Sequence, residues 1–157
     1  MTTETLAAAL EREHREIDEG IAAFTAARAE RGVDPVPLSR AVEALRRHIY
    51  LEEEFLFPPL RSAGMVMPVF VMLREHGEMW RMLDALEAEV ANDAGGEAVS
   101  SLVDGLVPRL AAHNEKEEAI LYPEADTVLA GSAGEELKAF MASGRMPEGW
   151  VCELIRS

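Results

Sequence analysis

The sequence predicts an all-α protein: an antiparallel up-down-up-down four-helix bundle with a short additional helix and a tail at the C-terminus. Three observations support this fold class. Turn-forming segments separate long stretches rich in Ala, Leu, Glu, Arg and Met, which are strong helix formers. Within these stretches, apolar residues recur at alternating spacings of three and four, which places them on one helical face. The connections are short, and short connections join antiparallel neighbours in a bundle.

The predicted helices follow from the positions of the breaks. Gly and Pro residues interrupt the helical pattern at 32–37 and again around Gly64, and a third break at 92–96 contains two glycines. In chain order, the predicted helices span about 3–31, 37–62, 66–92, 97–129 and 134–143. We therefore expect a bundle domain over residues 1–130 and a helical extension over residues 131–157 that packs on it.

The composition excludes several classes of protein. With 29 acidic and 15 basic residues, the net charge is -14, and no basic stripe suggests binding to nucleic acid or an anionic membrane. No apolar run approaches the about 20 residues that span a bilayer, and residues 1–14 lack the apolar segment of a signal peptide. We therefore expect a cytoplasmic protein, either a monomer or a homodimer. Cys152 is the only cysteine, which excludes an internal disulfide or thiolate cluster.

Six polar residues interrupt the apolar faces of the four long predicted helices, where the spacing calls for apolar side chains. All four histidines of the chain are among them, and two carry a Glu four residues later, which stacks on the same helical face. Counted from the turns at about 1.5 Å per residue, all six reach one level of the bundle within about one or two turns. The six are His14, His48, Glu52, His76, His113 and Glu117.

The chain also contains an internal repeat. The segment HIYLEEEFLFP at 48–58 aligns with HNEKEEAILYP at 113–123, an offset of 65 residues. Arg-Glu-His recurs at His14 and His76 with an offset of 62 residues. These offsets predict two related αα-hairpins that face each other. Pro58 and Pro123 occupy the same place in the repeat, and each predicts a kink or an end of the helix.

Four imidazoles and two carboxylates that converge in a bundle core are typical of a metal site. The natural arrangement holds two metal ions, with two terminal histidines on each and with Glu52 and Glu117 as bridges. Mixed nitrogen and oxygen ligation suits iron, with manganese and zinc as alternatives. A single inward histidine is usually a hydrogen-bonded core residue, and one HxxxE pair is common by chance. The coincidence of all six positions favours a metal site instead.

Other polar residues near these six positions are less strongly indicated as metal ligands. Glu53, Glu54 and Glu118 neighbour the predicted ligands but face other directions, so we interpret them as solvated groups or as groups that support the ligands. Tyr50 is turned by about 200° from His48 and is expected outside the cavity. Tyr122 is either redox-active or a packing residue, and the pattern favours packing.

The order H…HxxxE…H…HxxxE resembles the hemerythrin-like, or HHE cation-binding, family over roughly residues 5–125. The segments LEREH, RRHIYLEEEFLFPPL, MLREHGEM and LAAHNEKEEAILYP are similar to its four ligand-bearing segments. The resemblance implies an antiparallel four-helix bundle with a non-haem di-iron centre. It also implies that the six residues hold two iron ions joined by an oxo or hydroxo bridge.

The sequence departs from the oxygen-carrying members of this family. The carriers have a fifth histidine one turn from the first on the third helix, where this chain has Met72 and Trp80 on either side of His76. The final carboxylate is Glu117 rather than the carriers' Asp. Four histidines with two glutamates look more like the di-iron proteins associated with iron–sulfur cluster repair and nitric oxide stress. Residues 1–10, however, lack the cysteine-bearing segment usual in those proteins.

Three functions are consistent with these features. The first is a redox protein that binds and reacts with a small oxidant or gas, either dioxygen, peroxide or nitric oxide, in oxidative or nitrosative stress or iron homeostasis. The second is reversible oxygen binding, iron storage or sensing without turnover, and the third is a bundle that uses metal only as a structural staple. The missing fifth histidine favours the first over a carrier, because it leaves an open metal position for substrate.

Overall fold

A computed structural model describes residues 4–28 and 33–156, which form helices with no strand among them. The helices are α1 Leu6–Arg28, α2 Val36–Leu51, α3 Phe57–Ser62, α4 Val66–Asp93, α5 Glu97–Lys116, α6 Tyr122–Val128, α7 Ser132–Ser143 and α8 Glu153–Arg156. Two π-helical segments, Glu52–Leu56 and Glu117–Leu121, join α2 to α3 and α5 to α6. The all-α prediction is confirmed.

The predicted helix bounds agree closely with the structure. Each of the five predicted helices corresponds to one continuous helical run, and the ends differ by three residues or fewer wherever they are described. Residues 3 and 29–31 of the first predicted helix, and Gly32 of the first break, lie outside the described residues. The tail that follows α7 contains one further short helix, α8, which is not among the five predicted helices.

Both repeat prolines stand just after a π-helical segment. Phe57 and Tyr122, the residues before Pro58 and Pro123, donate their backbone N–H groups to the carbonyls of Glu52 and Glu117, five residues earlier. Proline has no N–H and cannot continue the regular α-helical hydrogen bonds. The helix therefore does not stop at either proline. It accommodates each one with a wider turn, as π-bulges do.

Two apolar clusters fill the interior, and a polar layer separates them. Along α1, Leu10 belongs to one cluster and Ile17 to the other, with His14 between them. Along α5 and the π-helical segment that follows it, Leu110 and Leu121 belong to different clusters in the same way. The six predicted site residues thus lie in a layer that apolar side chains enclose from both sides.

The helices pack in pairs around this layer. α1 packs on α2 and α4 packs on α5, while α6 lies against α1 and α3 contacts α4. These contacts form a helical bundle from the two repeated halves. No helix among the described residues has the length and apolar character needed to cross a membrane.

The C-terminal helices contact α2 and α4. The guanidinium of Arg47 donates to the carbonyls of Phe140, Met141 and Gly144 at the end of α7. α8 packs on α4. The lack of a side chain at Gly77 allows a close approach here, since a Cβ added to Gly77 would lie 3.3 Å from the Cβ of Leu154.

Candidate metal centre

The structure brings the six sequence-predicted residues into one buried layer, where none is more than 3% exposed. They form two overlapping groups whose ligand-type atoms lie within 4.8 Å of one another. The first group contains His14 and His48, and the second contains His76 and His113. Glu52 and Glu117 belong to both groups. Two cation positions that share two carboxylates are the arrangement this geometry offers.

The inner nitrogen of each imidazole faces a shared carboxylate. Each His Nε2 lies 3.1–3.3 Å from an oxygen of Glu52 or Glu117. Glu52 directs Oε2 towards His48 and Oε1 towards His76, so its two oxygens serve different groups. The side chain of Glu52 therefore connects the two groups.

Each outer nitrogen, Nδ1, is hydrogen-bonded to a glutamate, at 2.8–2.9 Å. A carboxylate only accepts hydrogen bonds, so Nδ1 donates and Nε2 is left to bind a cation. Two of these bonds stay within one repeat half and two join the halves. The four pairs are His14 with Glu118, His48 with Glu13, His76 with Glu53 and His113 with Glu75.

These pairs decide how the neighbouring glutamates are interpreted. Glu53 and Glu118, left between solvated and supporting roles by the sequence, support predicted ligands. Glu54 instead accepts a bond from Trp150 Nε1 on the outside of the bundle. Sequence reasoning missed Glu13 and Glu75, although the repeated Arg-Glu-His places both directly before a predicted ligand.

The buried charges perturb the pKa values of this layer strongly. Burial lowers the pKa of His48, but the charge of Glu52 and hydrogen bonds to Glu13 and Glu52 outweigh it and raise the pKa to about 10. Burial likewise lowers the pKa of His113, and Glu117 and Glu75 raise it to about 10. For Glu52, burial raises the pKa and the histidines pull it well below its usual value. Without metal, protons on imidazole therefore compensate the buried carboxylates.

Tyr122 lies inside the layer, so the prediction that favoured a packing role is incomplete. Its side chain is fully buried, and its hydroxyl donates to Glu52 Oε2 at 2.6 Å. The hydroxyl oxygen of Tyr122 also lies 2.9 Å from His14 Nε2 and 3.0 Å from His48 Nε2. Burial and the charges of Glu117 and Glu52 raise the pKa of this phenol well above its usual value.

The π-helical segment explains why the sequence pattern did not reveal Tyr122. Five residues of α-helix turn by about 500°, so Tyr122 would point about 140° away from Glu117. In the π segment the backbone hydrogen bond runs from the N–H of Tyr122 to the carbonyl of Glu117, five residues earlier. Because a π-helical turn is wider than an α-helical turn, Tyr122 comes to lie on the same side of the helix as Glu117. The signal available in the sequence was Pro123 together with the repeat. By contrast, Tyr50 lies among Phe55, Phe140 and Trp150, as predicted.

One buried atom shows that the layer suits a cation. Glu117 Oε2 is the only fully buried side-chain nitrogen or oxygen among the described residues that has no hydrogen-bond partner. An unpartnered buried acceptor is costly, and a cation at either position would satisfy it. The nitrogen and carboxylate donors suit iron, manganese or zinc.

The comparisons with known proteins agree with this geometry. The family model described as the hemerythrin HHE cation binding domain matches residues 5–125, a stretch that contains all six residues of the layer. Searches of curated proteins and of solved structures gave no match. The family match covers most of the chain and coincides with its buried histidine and glutamate layer. The chain therefore belongs to the hemerythrin HHE cation-binding domain family.

Proposed function

We propose that this protein is a non-haem di-iron protein that binds and reacts with a small oxidant, either dioxygen, peroxide or nitric oxide, in oxidative or nitrosative stress or iron homeostasis. The observation that carries the proposal is the pair of groups that share Glu52 and Glu117 while each contributes its own two histidines. A single structural cation would need only one such group.

In this proposal His14 and His48 hold one iron, and His76 and His113 hold the other. Glu52 and Glu117 would be shared by the two ions. The long helices adopt the up-down-up-down order favoured by short connections, and residues 131–157 form an extension on the bundle domain. When bound, a di-iron pair supplies one-electron redox steps and coordination positions for a small ligand.

The protein's own residues favour reaction with a small molecule. The outer glutamates hold each imidazole in a fixed orientation, so the donors are arranged before any ligand arrives. The two apolar clusters exclude water from both sides of the layer. With all six side chains so deeply buried, a ligand has to be small enough to pass between packed side chains.

The positions beside His76 argue against a reversible oxygen carrier. Met72 and Trp80 are 1% and 2% exposed, so apolar side chains fill the space one turn to each side of His76. Neither side chain is a suitable replacement for a fifth imidazole ligand. The second metal thus keeps a position for an external ligand, as catalytic metal sites do.

Metal analysis and an absorption spectrum of anaerobically purified protein test the site. Two irons per chain with the spectrum of a coupled iron pair are expected, and one zinc or no metal would contradict the proposal. Stopped-flow mixing of the reduced protein with peroxide and with nitric oxide tests the reaction. Consumption faster than by the same concentration of free iron is expected. A band that forms with dioxygen and disappears under vacuum would instead indicate reversible binding.

A further inference from the structure

The repeat places two aromatic residues in equivalent positions beside the metal layer. Phe57 and Tyr122 each follow a predicted bridging glutamate by five residues and precede a proline. Each ring stacks on a histidine of the other half: Phe57 on His76 at 5.4 Å and 24°, and Tyr122 on His14 at 5.2 Å and 28°. At this position the two halves of the layer therefore differ by one hydroxyl group.

That hydroxyl lies at the centre of one group of donors. Tyr122 Oη is 2.6–3.3 Å from an atom of every member of the group that contains His14 and His48. The four atoms around it are His14 Nε2, His48 Nε2, Glu52 Oε2 and Glu117 Oε1. In the group that contains His76 and His113, the equivalent aromatic residue is Phe57, which has no donor atom.

We propose that Tyr122 Oη is a protein ligand of the metal ion held by His14 and His48, and that the ion held by His76 and His113 is the one that binds the external small ligand. This inference rests on the two-metal site of the proposed function. On binding, a metal–oxygen bond replaces the phenol O–H bond, and the proton leaves to solvent. The pair of ions is then inequivalent, with one more protein donor on the first ion.

Coordination is favoured because the hydroxyl lies among the four side chains that would surround the ion. Metal–donor bonds of about 2.0–2.2 Å draw the surrounding donors towards one point, and the phenol oxygen already lies among them. It must then either bind the ion or move away. Movement is opposed because Tyr122 is 0% exposed, its ring stacks on His14 and its backbone N–H is bonded to the carbonyl of Glu117.

The test uses the two tyrosines of the chain, Tyr50 and Tyr122. The full chain is loaded with ferrous iron under anaerobic conditions, oxidised with ferricyanide and desalted. A phenolate ligand of ferric iron gives a visible charge-transfer band, and resonance Raman spectra excited in this band show tyrosine ring modes. Wild type and Tyr50→Phe are expected to show both signals. Because Tyr122 is the only tyrosine left in Tyr50→Phe, its signals there assign the ligand even if a Tyr122 variant folds poorly.

Two further variants complete the test. Tyr122→Phe makes the halves alike and is expected to lose the band while it retains two irons, since all six other donors remain. Phe57→Tyr introduces a phenol at the second ion. It is expected to intensify the band and to weaken the binding of added azide, while azide binding by Tyr50→Phe stays at the wild-type level.

The outcomes separate the two proposals. Wild-type protein with two irons but no phenolate signals would overturn the ligand assignment and leave the di-iron site standing. A band that persists in Tyr122→Phe would overturn it as well. Azide binding that is unaffected in Phe57→Tyr would overturn the assignment of the open position. Wild-type protein that binds no iron would overturn both this inference and the proposed function.

Discussion

Replacement of Glu13 by Gln is expected to weaken metal binding at the position of His14 and His48. Glu13 Oε1 accepts the Nδ1 hydrogen of His48 at 2.9 Å, and the residue is only 8% exposed. Burial raises the pKa of Glu13, but His48 and Arg47 outweigh it and leave the pKa below its usual value, so the group is ionised at neutral pH. Glu13→Gln keeps the shape of the side chain and removes the charge that stabilises the metal-bound imidazole.

The expected loss is about 10–100-fold in affinity, typical for a hydrogen-bond partner of a metal-bound histidine. This corresponds to about 1.4–2.7 kcal/mol. Burial places the result towards the upper end, because water cannot readily replace the lost charge. Glu118→Gln should have a smaller effect, since the Glu118 side chain is 40% exposed. Dissociation constants for Zn²⁺, measured in competition with a chromophoric chelator, give the comparison.

Glu16→Gln is the matched control. Glu16 lies on the same helix, but its side chain is 60% exposed and pairs with Arg12. Its replacement should leave zinc affinity at the wild-type level. Arg47 should keep α7 in place in Glu13→Gln, because it also donates to three carbonyls there. Equal affinities for wild type and Glu13→Gln, or equal losses in Glu13→Gln and Glu16→Gln, would refute the reasoning.

Three other predictions concern the layer and its packing. Glu52→Ala should lower metal occupancy at both positions, whereas His76→Ala should lower it at one, because Glu52 belongs to both groups and His76 to only one of them; native mass spectrometry distinguishes these results. In the metal-free protein the pKa values of His48 and His113 are raised from 6.5 to about 10, so their stabilising contribution is complete below about pH 6.5 and is lost as the pH rises towards about 10. Urea unfolding at about pH 6 and about pH 9.5 should show this decrease, and greater stability at the higher pH would contradict it. Leu10→Ala should reduce the free energy of unfolding by about 2–5 kcal/mol in urea titrations, because Leu10 is 0% exposed. A change no larger than that of a surface substitution would contradict the expectation that Leu10 is tightly packed.

The helices and the level of the site were predictable because regular α-helical geometry connects them to the sequence. A constant rise per residue allowed His14, His48, His76 and His113 to be placed at one height from chain position alone. The all-α prediction and the convergence of these residues are confirmed. Their role as metal ligands stays a prediction.

The contribution of Tyr122 was not predictable from the same rule, because the rule changes within the helix. The π segment after Glu117 alters the direction of every side chain that follows, and α-helical counting then gives the wrong face. Glu13 and Glu75 were missed for a different reason. Each is about 100° around the helix from the histidine that follows it, so it lies off the inward face of its own helix. Glu13 contacts His48, and Glu75 contacts His113, only once the neighbouring helix is in place.

The attachment of the tail to Glu53 gives the protein a built-in spectroscopic probe. Glu53 accepts the Nδ1 hydrogen of His76 with one oxygen and the backbone N–H of Glu153 with the other, both at 2.8 Å. The two hydrogen bonds share a single carboxylate, so polarisation of one is felt by the other. The ¹⁵N–¹H resonance of Glu153 should therefore shift when His76 changes its bonding. Because this amide lies near the surface, a single NMR peak can follow events in the buried layer.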